Sequence, residues 1–387
     1  MSRLARPAVL FGPVLSCALS LAMALPPAAP AAARDLVVVS AGGALGAAEA
    51  SSLIEPFVAA GTAVAARAWQ PSPLALEAEF SGEKPLPDLI QMRGDLLRQA
   101  CAAGRLARLD WDHLGRDKFA PAAIQDCGMG TVLTATALAW NRAKYSGTPG
   151  WAEFWDIARV PGKRALPRGP RLTLEIALLA DGVAAADIYK TLRTDDGVDR
   201  AFRKLDQLRP FVAWWRTGAD AARMLVSGEA LLAAVPTADI AAPPPIPPPA
   251  TTAAPGAAPG ATPPAPVDLA VQWNGALTAV RFWAIRARTP MQDEAMKFLA
   301  AAADPSTQAR ILAATQYAGL SKPPPTPPPS APPSPTPPSP APPTPTDDTP
   351  LSTATPAHLA GTLAVDEQFW RDNLQRLSDR FEAWLRG

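Results

Sequence analysis

Few side chains in this sequence are spaced for bond-making chemistry. It holds two histidines, His113 and His358, and neither sits beside a nucleophile or in a metal-ligand motif. The carboxylates Asp110, Asp112, Asp156 and Glu175 are scattered rather than paired, and no Gly-x-Ser-x-Gly elbow occurs. Gly42-Gly43 with Gly46 lacks both the three-glycine dinucleotide fingerprint and the Gly-Lys-Ser/Thr end of a phosphate loop. It offers instead a tight turn exposing backbone N–H groups where a helix begins, a surface suited to a ligand. Catalysis, a metal and a cofactor are therefore not expected.

The cysteines speak to compartment. Cys17 lies in an apolar leader, and only Cys101 and Cys127 follow it. Arg3 and Arg6 precede an uncharged run from Ala8 to Leu25, Pro26-Pro27 breaks the run, and Ala31-Ala32-Ala33 offers small residues for cleavage. Residues 1–33 thus read as a cleavable export signal to the periplasm. The alternatives are an uncleaved anchor and a lipoprotein attached through Cys17. In an oxidising compartment Cys101 and Cys127 would pair and close a loop worth roughly 3 kcal/mol. Otherwise they are two buried thiols.

The elements that must position any site are those of a globular α/β chain. Of 387 residues 47 are proline, but 11 of these fall in residues 243–266 and 16 in residues 323–350. Outside those tracts the proline content is ordinary, and 48% hydrophobic residues can bury a core. Glycine, at 25 residues, is too scarce for collagen. Lys+Arg 36 against Asp+Glu 35 gives no basic face for nucleic acid.

Asp35 to Ser40 reads as a buried parallel strand, turning at Gly42-Gly43 into a helix that carries Leu53, Ile54, Phe57 and Val58 on one face. Ala63 to Ala68 and Pro87 to Met92 read as strands, and Asp95 to Ala102 as a helix. Gly130 to Trp140 is a long strand. Pro161 to Arg164 reads as a turn, and Thr173 as the cap of the next helix. Helices follow at Ala186 to Leu192, Val198 to Leu208 and Gly218 to Ser227, then a strand at Ala230 to Val235. Beyond the first tract, Leu269 to Trp273 and Thr278 to Ile285 read as two strands, Met291 to Ala303 as a helix, and Asp304-Pro305 as the capped start of another. Phe369, Trp370, Leu374, Leu377, Phe381 and Trp384 fall at helical spacing in a closing amphipathic helix capped by Asp366. Alternating strands and helices give a mostly parallel sheet covered on both faces.

An exported α/β chain without catalytic marks suggests a protein that captures a solute. The stretches Asp88 to Cys101, Gly104 to Trp111 and Phe119 to Cys127 resemble periplasmic solute-binding proteins of ABC importers, nearest to the spermidine/putrescine-binding family. Trp151 to Asp156, Val160 to Arg164, Leu174 to Val183, Gly228-Glu229, Trp273-Asn274 and the closing Phe369-Trp370 with Arg380 to Trp384 fit in the same order. The resemblance implies a two-lobe type II periplasmic binding protein fold, here with two disordered proline-rich insertions. Lobe 1 would begin with residues 34–138 and lobe 2 with 139–242. Residues 267–322 would form the second lobe crossing and its helices, and residues 351–387 the docking helix. It also implies a small-molecule solute held between the lobes, docking on ABC permease membrane subunits, a monomer, and no enzyme activity.

The pocket pattern of that family is altered. Its aromatic positions fall at Ala41, Leu45 and near Pro236, and its acidic positions at Arg93 and Arg281, while Glu175 keeps the expected sign. The candidate ligand set is Ser40, Gly42, Gly43, Arg93, Glu175, Trp273 and Arg281. Three outcomes are open. A polyamine or other small charged solute fits the family. An anionic solute fits Arg93 and Arg281, since guanidinium groups bind carboxylates bidentately. A degenerate cleft would leave an envelope scaffold.

Overall fold

The computed structural model describes residues 34–241, 267–321 and 354–387. The expected export segment, Cys17 and both proline-rich tracts lie outside the described residues. Eleven strands form one mixed sheet. They are β1 (Leu36–Ala41), β2 (Val64–Trp69), β3 (Leu89–Arg93), β4 (Ile124–Gln125), β5 (Gly128–Asn141), β6 (Arg164–Pro167), β7 (Val212–Trp215), β8 (Leu232–Pro236), β9 (Leu269–Ile285), β10 (Ala318–Gly319) and β11 (Leu363–Ala364). The main order is β2-β1-β3-β9-β5-β8-β6-β7, with β10 and β4 added to β5 and β11 to β9.

Two parallel blocks, β2-β1-β3 and β8-β6-β7, flank an antiparallel ribbon of the long strands β9 and β5. The register decides where their ends meet. The carboxyl end of β3 pairs Arg93 with Arg281 in the middle of β9. The carboxyl end of β8 pairs Pro236 with Thr136 in the middle of β5, itself opposite Leu277 of β9. The blocks run in opposite senses, so the carboxyl ends of both face mid-ribbon. In open α/β sheets ligands bind outside the carboxyl ends of strands, and here two such edges converge.

β1 is buried along its whole length, as its apolar run requires. Leu36 and Val38 pack with Trp283 and Phe298 on one face, and Val37 and Val39 with Met92 and Phe282 on the other. In the second block Leu166, Leu174 and Leu205 form a core with Trp370, Leu377 and Phe381 of the closing helix Glu367–Arg386. Each such fully buried side chain contributes about 2 kcal/mol. Asp366 caps that helix as the sequence indicates, accepting from the Phe369 N–H at 2.9 Å.

Four local expectations change. The two strands expected at 269–273 and 278–285 are one, β9. Its register against β5 slips between Thr136 and Leu138, and Gly275 takes φ +76° near that slip, a conformation that favours glycine. Pro161 to Arg164 is not only a turn: Arg164 opens β6. The sequence hides this strand because a charged residue starts it. The Arg164 side chain is fully buried and donates to the carbonyls of Phe154 (2.7 Å) and Gly162 (2.6 Å). β7 was not expected either, being four residues ending in Trp214-Trp215. Thr173 lies inside its helix rather than capping it, and its hydroxyl donates to Pro167 O at 3.0 Å.

The Cys101 and Cys127 sulfurs are at disulfide-bonding distance, 1.97 Å, with Cα atoms 5.8 Å apart. Among the described residues no helix is long and apolar enough to cross a membrane, and no group of three or more His, Cys, Asp or Glu side chains could hold a metal ion.

Candidate functional site

A cavity of about 410 Å3 opens where the two sets of strand ends converge. Its floor is mid-ribbon: Thr134 and Thr136 of β5, and Leu277, Ala279 and Arg281 of β9, alternate residues that share one face. Its walls are the turns after β1 (Gly42, Gly43), β2 (Pro71, Ser72), β6 (Arg168 to Leu172), β7 (Arg216 to Gly218) and β8 (Asp239), with Tyr317 closing one side.

The sequence-derived candidates divide. Gly42, Gly43, Arg93 and Arg281 come together on this cavity, and so do Ala41, Leu45 and Pro236, where the polyamine pattern carries aromatics. Ser40, Glu175 and Trp273 do not line it. Ser40 is buried within β1. Glu175 is buried behind the wall, where its Oε1 accepts from the Tyr189 hydroxyl (2.8 Å) and from Trp370 Nε1 (2.6 Å). Burial pushes its carboxyl above the usual range. Trp273 packs in the core with its ring stacked on His358, centroids 5.0 Å apart.

Arg93 reaches the cavity already engaged. Its Nε and Nη2 hold the two Asp95 oxygens at 3.0 and 2.9 Å, and Nη1 donates to Pro71 O at 2.9 Å. Arg168 holds Glu382 at 2.6 and 2.8 Å, and Arg171 holds Glu367 at 3.2 and 2.9 Å. Arg281 is different. It lies opposite Arg93 in the strand register, an unfavourable pairing of like charges, and its Nε and Nη1 are buried without a hydrogen-bond partner among the described residues. Burial first, then the Arg93 charge, pull its guanidinium down to about 10, which leaves it a cation at neutral pH.

Sequence reading missed Asp239, Arg216 and Tyr317. Asp239 is 8% exposed. It has no hydrogen bond or ion pair with any described residue, and burial alone pushes its carboxyl up to about 6. Its carboxylate lies against the β7 turn, where a Cβ on Gly218 would come within 2.0 Å of Oδ2. Only glycine allows that approach. The signal available in the sequence was position: a carboxylate just past the apolar run that ends at Val235, hence at a strand's carboxyl end. Arg216 precedes Thr217, which caps the next helix by accepting from the Asp220 N–H at 3.1 Å. It is exposed to the cavity and engages no described residue.

Comparison with known proteins adds the following. A sequence profile of bacterial extracellular solute-binding proteins matches residues 67–334. The γ-aminobutyric acid-binding protein of Pseudomonas aeruginosa is 33% identical over 365 residues, 94% of each chain. The PBP MotA of A. tumefaciens B6, solved with glucopine, superposes with a TM-score of 0.71 at 23% identity, over 91% of this chain and 100% of that one. The PBP AgtB of A. tumefaciens R10, solved with agropinic acid, gives 0.69 at 21% identity, over 91% and 99%. At these identities the two structures speak to fold alone.

Proposed function

Because this chain belongs to the bacterial extracellular solute-binding proteins, we propose that its cleft captures an amino-acid-like zwitterion, with the ammonium on Asp239 and a carboxylate on a cleft arginine. The protein is the solute-binding component of an ABC importer, of the periplasmic type, and it catalyses nothing. The carrying observation is Asp239, a buried carboxylate on the cleft wall that makes no hydrogen bond or ion pair with any described residue. An isolated buried charge is costly unless it is paired, and a solute ammonium is the missing partner. A relative that binds γ-aminobutyric acid supports the same class. A polyamine fits less well, since five arginines and one carboxylate line the cleft.

Calorimetry on the full chain tests this with 4-aminobutyrate and related amino acids against putrescine and spermidine. An amino acid should bind, and at about 100 times its dissociation constant should add about 2.7 kcal/mol to stability. Binding of the polyamines with no response to amino acids would sink the proposal. The pH dependence has a definite sign. The ammonium needs Asp239 ionised, so affinity is full well above pH 6, about half-maximal near 6, and falls as pH drops further. At pH 5 the loss should be about tenfold.

The protein acts as a monomer with an oxidised Cys101–Cys127 bridge. Denatured, unreduced protein should then leave both cysteines closed to alkylation, and reduction should lower stability by about 3 kcal/mol. Alkylation of both without reductant would refute the bridge.

A further inference from the structure

The cleft holds more unpaired charge than a simple zwitterion neutralises, and we infer that its solute is an amino dicarboxylate, an acidic amino acid or a derivative of one. Asp239 and Arg216 would take the amino-acid head and Arg281 the distal carboxylate. This rests on the zwitterion reading above and extends it.

The charge inventory carries the argument. Six charged side chains line the cavity. Arg93, Arg168 and Arg171 are closed off by Asp95, Glu382 and Glu367. Three remain: two cations, Arg216 and Arg281, and one anion, Asp239. A solute that satisfies all three brings two anionic groups and one ammonium. A monocarboxylate leaves one arginine unanswered.

The placement separates two subsites. Asp239 abuts the turn that carries Arg216, since its Oδ2 leaves no room for a Cβ on Gly218. Asp239 and Arg216, from the turns after β8 and β7, would take an ammonium and a carboxylate on one carbon. Arg281 stands apart on β9, in register with Arg93 and Val132. Tyr317 lines the same cavity; burial raises its hydroxyl, and of the nearby charges Asp239 adds to that rise while Arg281 opposes it.

Arg281 is poised rather than idle. Two of its nitrogens are enclosed yet have no acceptor among the described residues. Of the carboxyls that act on it, Glu367 is held by Arg171, and Glu49 is fully buried, hydrogen-bonded through Oε1 to the Gln91 side chain, with Oε2 lacking a partner among the described residues. Burial pushes Glu49 up to about 8, so it is largely neutral at pH 7 and does not cancel the Arg281 charge. A solute carboxylate would supply both the acceptor and the counter-charge.

Glutamate and 4-aminobutyrate make a matched pair, since glutamate carries one further carboxylate on the ammonium-bearing carbon. Calorimetry on the full chain should find glutamate, or its longer homologues 2-aminoadipate and 2-aminopimelate, binding at least about tenfold tighter than 4-aminobutyrate. Arg281→Gln and Arg216→Gln, each checked for an unchanged melting profile, should both weaken the best dicarboxylate by tenfold or more. Binding of 4-aminobutyrate as tight as or tighter than every dicarboxylate overturns this inference and leaves the zwitterion reading standing. So does an Arg281→Gln variant with undiminished dicarboxylate affinity. Failure of all the amino acids, with a polyamine bound, overturns both.

Discussion

Asp239→Asn should abolish solute binding and make the empty protein more stable. The side chain is isosteric, so the contact with Gly218 survives and only the charge is lost. For binding, the ammonium loses its counter-ion in a buried wall, and a charge-assisted pair of that kind is worth at least about 2.7 kcal/mol, or a hundredfold in affinity. For stability the sign is opposite. The Asp239 carboxyl has an ordinary value of 3.8 and is pushed up to about 6 in the fold by burial alone. The folded state therefore holds its proton more tightly than the unfolded state does. Between those two values each rise in pH removes stability, and by pH 7 the whole penalty, up to about 3 kcal/mol, is in force. The asparagine variant escapes it. Urea denaturation at pH 7.5 should show the variant more stable by roughly 2–3 kcal/mol, with the advantage shrinking toward pH 4. A variant that is less stable at pH 7.5, or that still binds solute, would count against the placement of Asp239 as the ammonium site. Stability given up at a site that must stay charged is an expected cost of function.

The same residue marks the limit of what the sequence discloses. The apolar run of β1, its glycine turn and the amphipathic spacing from Phe369 to Phe381 are local patterns, and the fold keeps all of them. Arg281 could be singled out because it stands where a related pattern carries an acid. Asp239 could not. Its meaning comes from two elements, the turn after β7 and the end of β8, and from its having no ion pair with any described residue. Glu175 failed for the same reason in reverse. Its sign and position suited a ligand, but Tyr189 and Trp370 close over it from elements that no local pattern connects. β6 and β7 are too short to show a period, and the pairing that makes them strands is long-range. Spacing along the chain locates elements; the charges left unpaired after folding locate the site.

Arg171 shows why a cleft arginine can be excluded from the solute's reach, and its loss should be the most damaging single change near the site. It projects from the turn after β6 and holds Glu367 of the closing helix in a two-pronged contact, both side chains nearly buried. The Glu367 carboxylate also accepts from the Asp95 N–H at 3.0 Å, in the helix Gly94–Ala102 after β3. A Cβ on Gly94 would fall 2.6 Å from Glu367 Cγ. One carboxylate thus ties together elements from both blocks of the sheet. Burial pulls Asp95 upward, but Arg93 and then Arg171 outweigh it and hold its carboxyl well below the usual range. Burial raises Glu367 despite Arg171, and Asp95 adds to that rise.

Arg171→Met would leave Asp95 and Glu367 facing each other with Arg93 alone to offset them. Breaking a buried pair by removing one partner costs about 3–5 kcal/mol, and chemical denaturation at pH 7.5 should find a loss of that size. Glu367→Gln should be milder, because the amide oxygen still accepts from Asp95 and two arginines then share one carboxylate. Arg171→Met with Glu367→Met removes both charges and should recover most of the loss, giving a coupling energy of roughly 2 kcal/mol or more in the double-mutant cycle. The deficit of Arg171→Met should also narrow at acidic pH. An unpaired Glu367 has its folded pKa raised further, and the stability it removes when ionised returns as it takes up a proton. A double variant no better than Arg171→Met would show that packing, not charge, holds this junction. A solute carboxylate reaching Arg171 would have to displace Glu367 and leave that charge buried without its partner. Arg281 asks no such exchange, and for that reason an incoming anion should settle there.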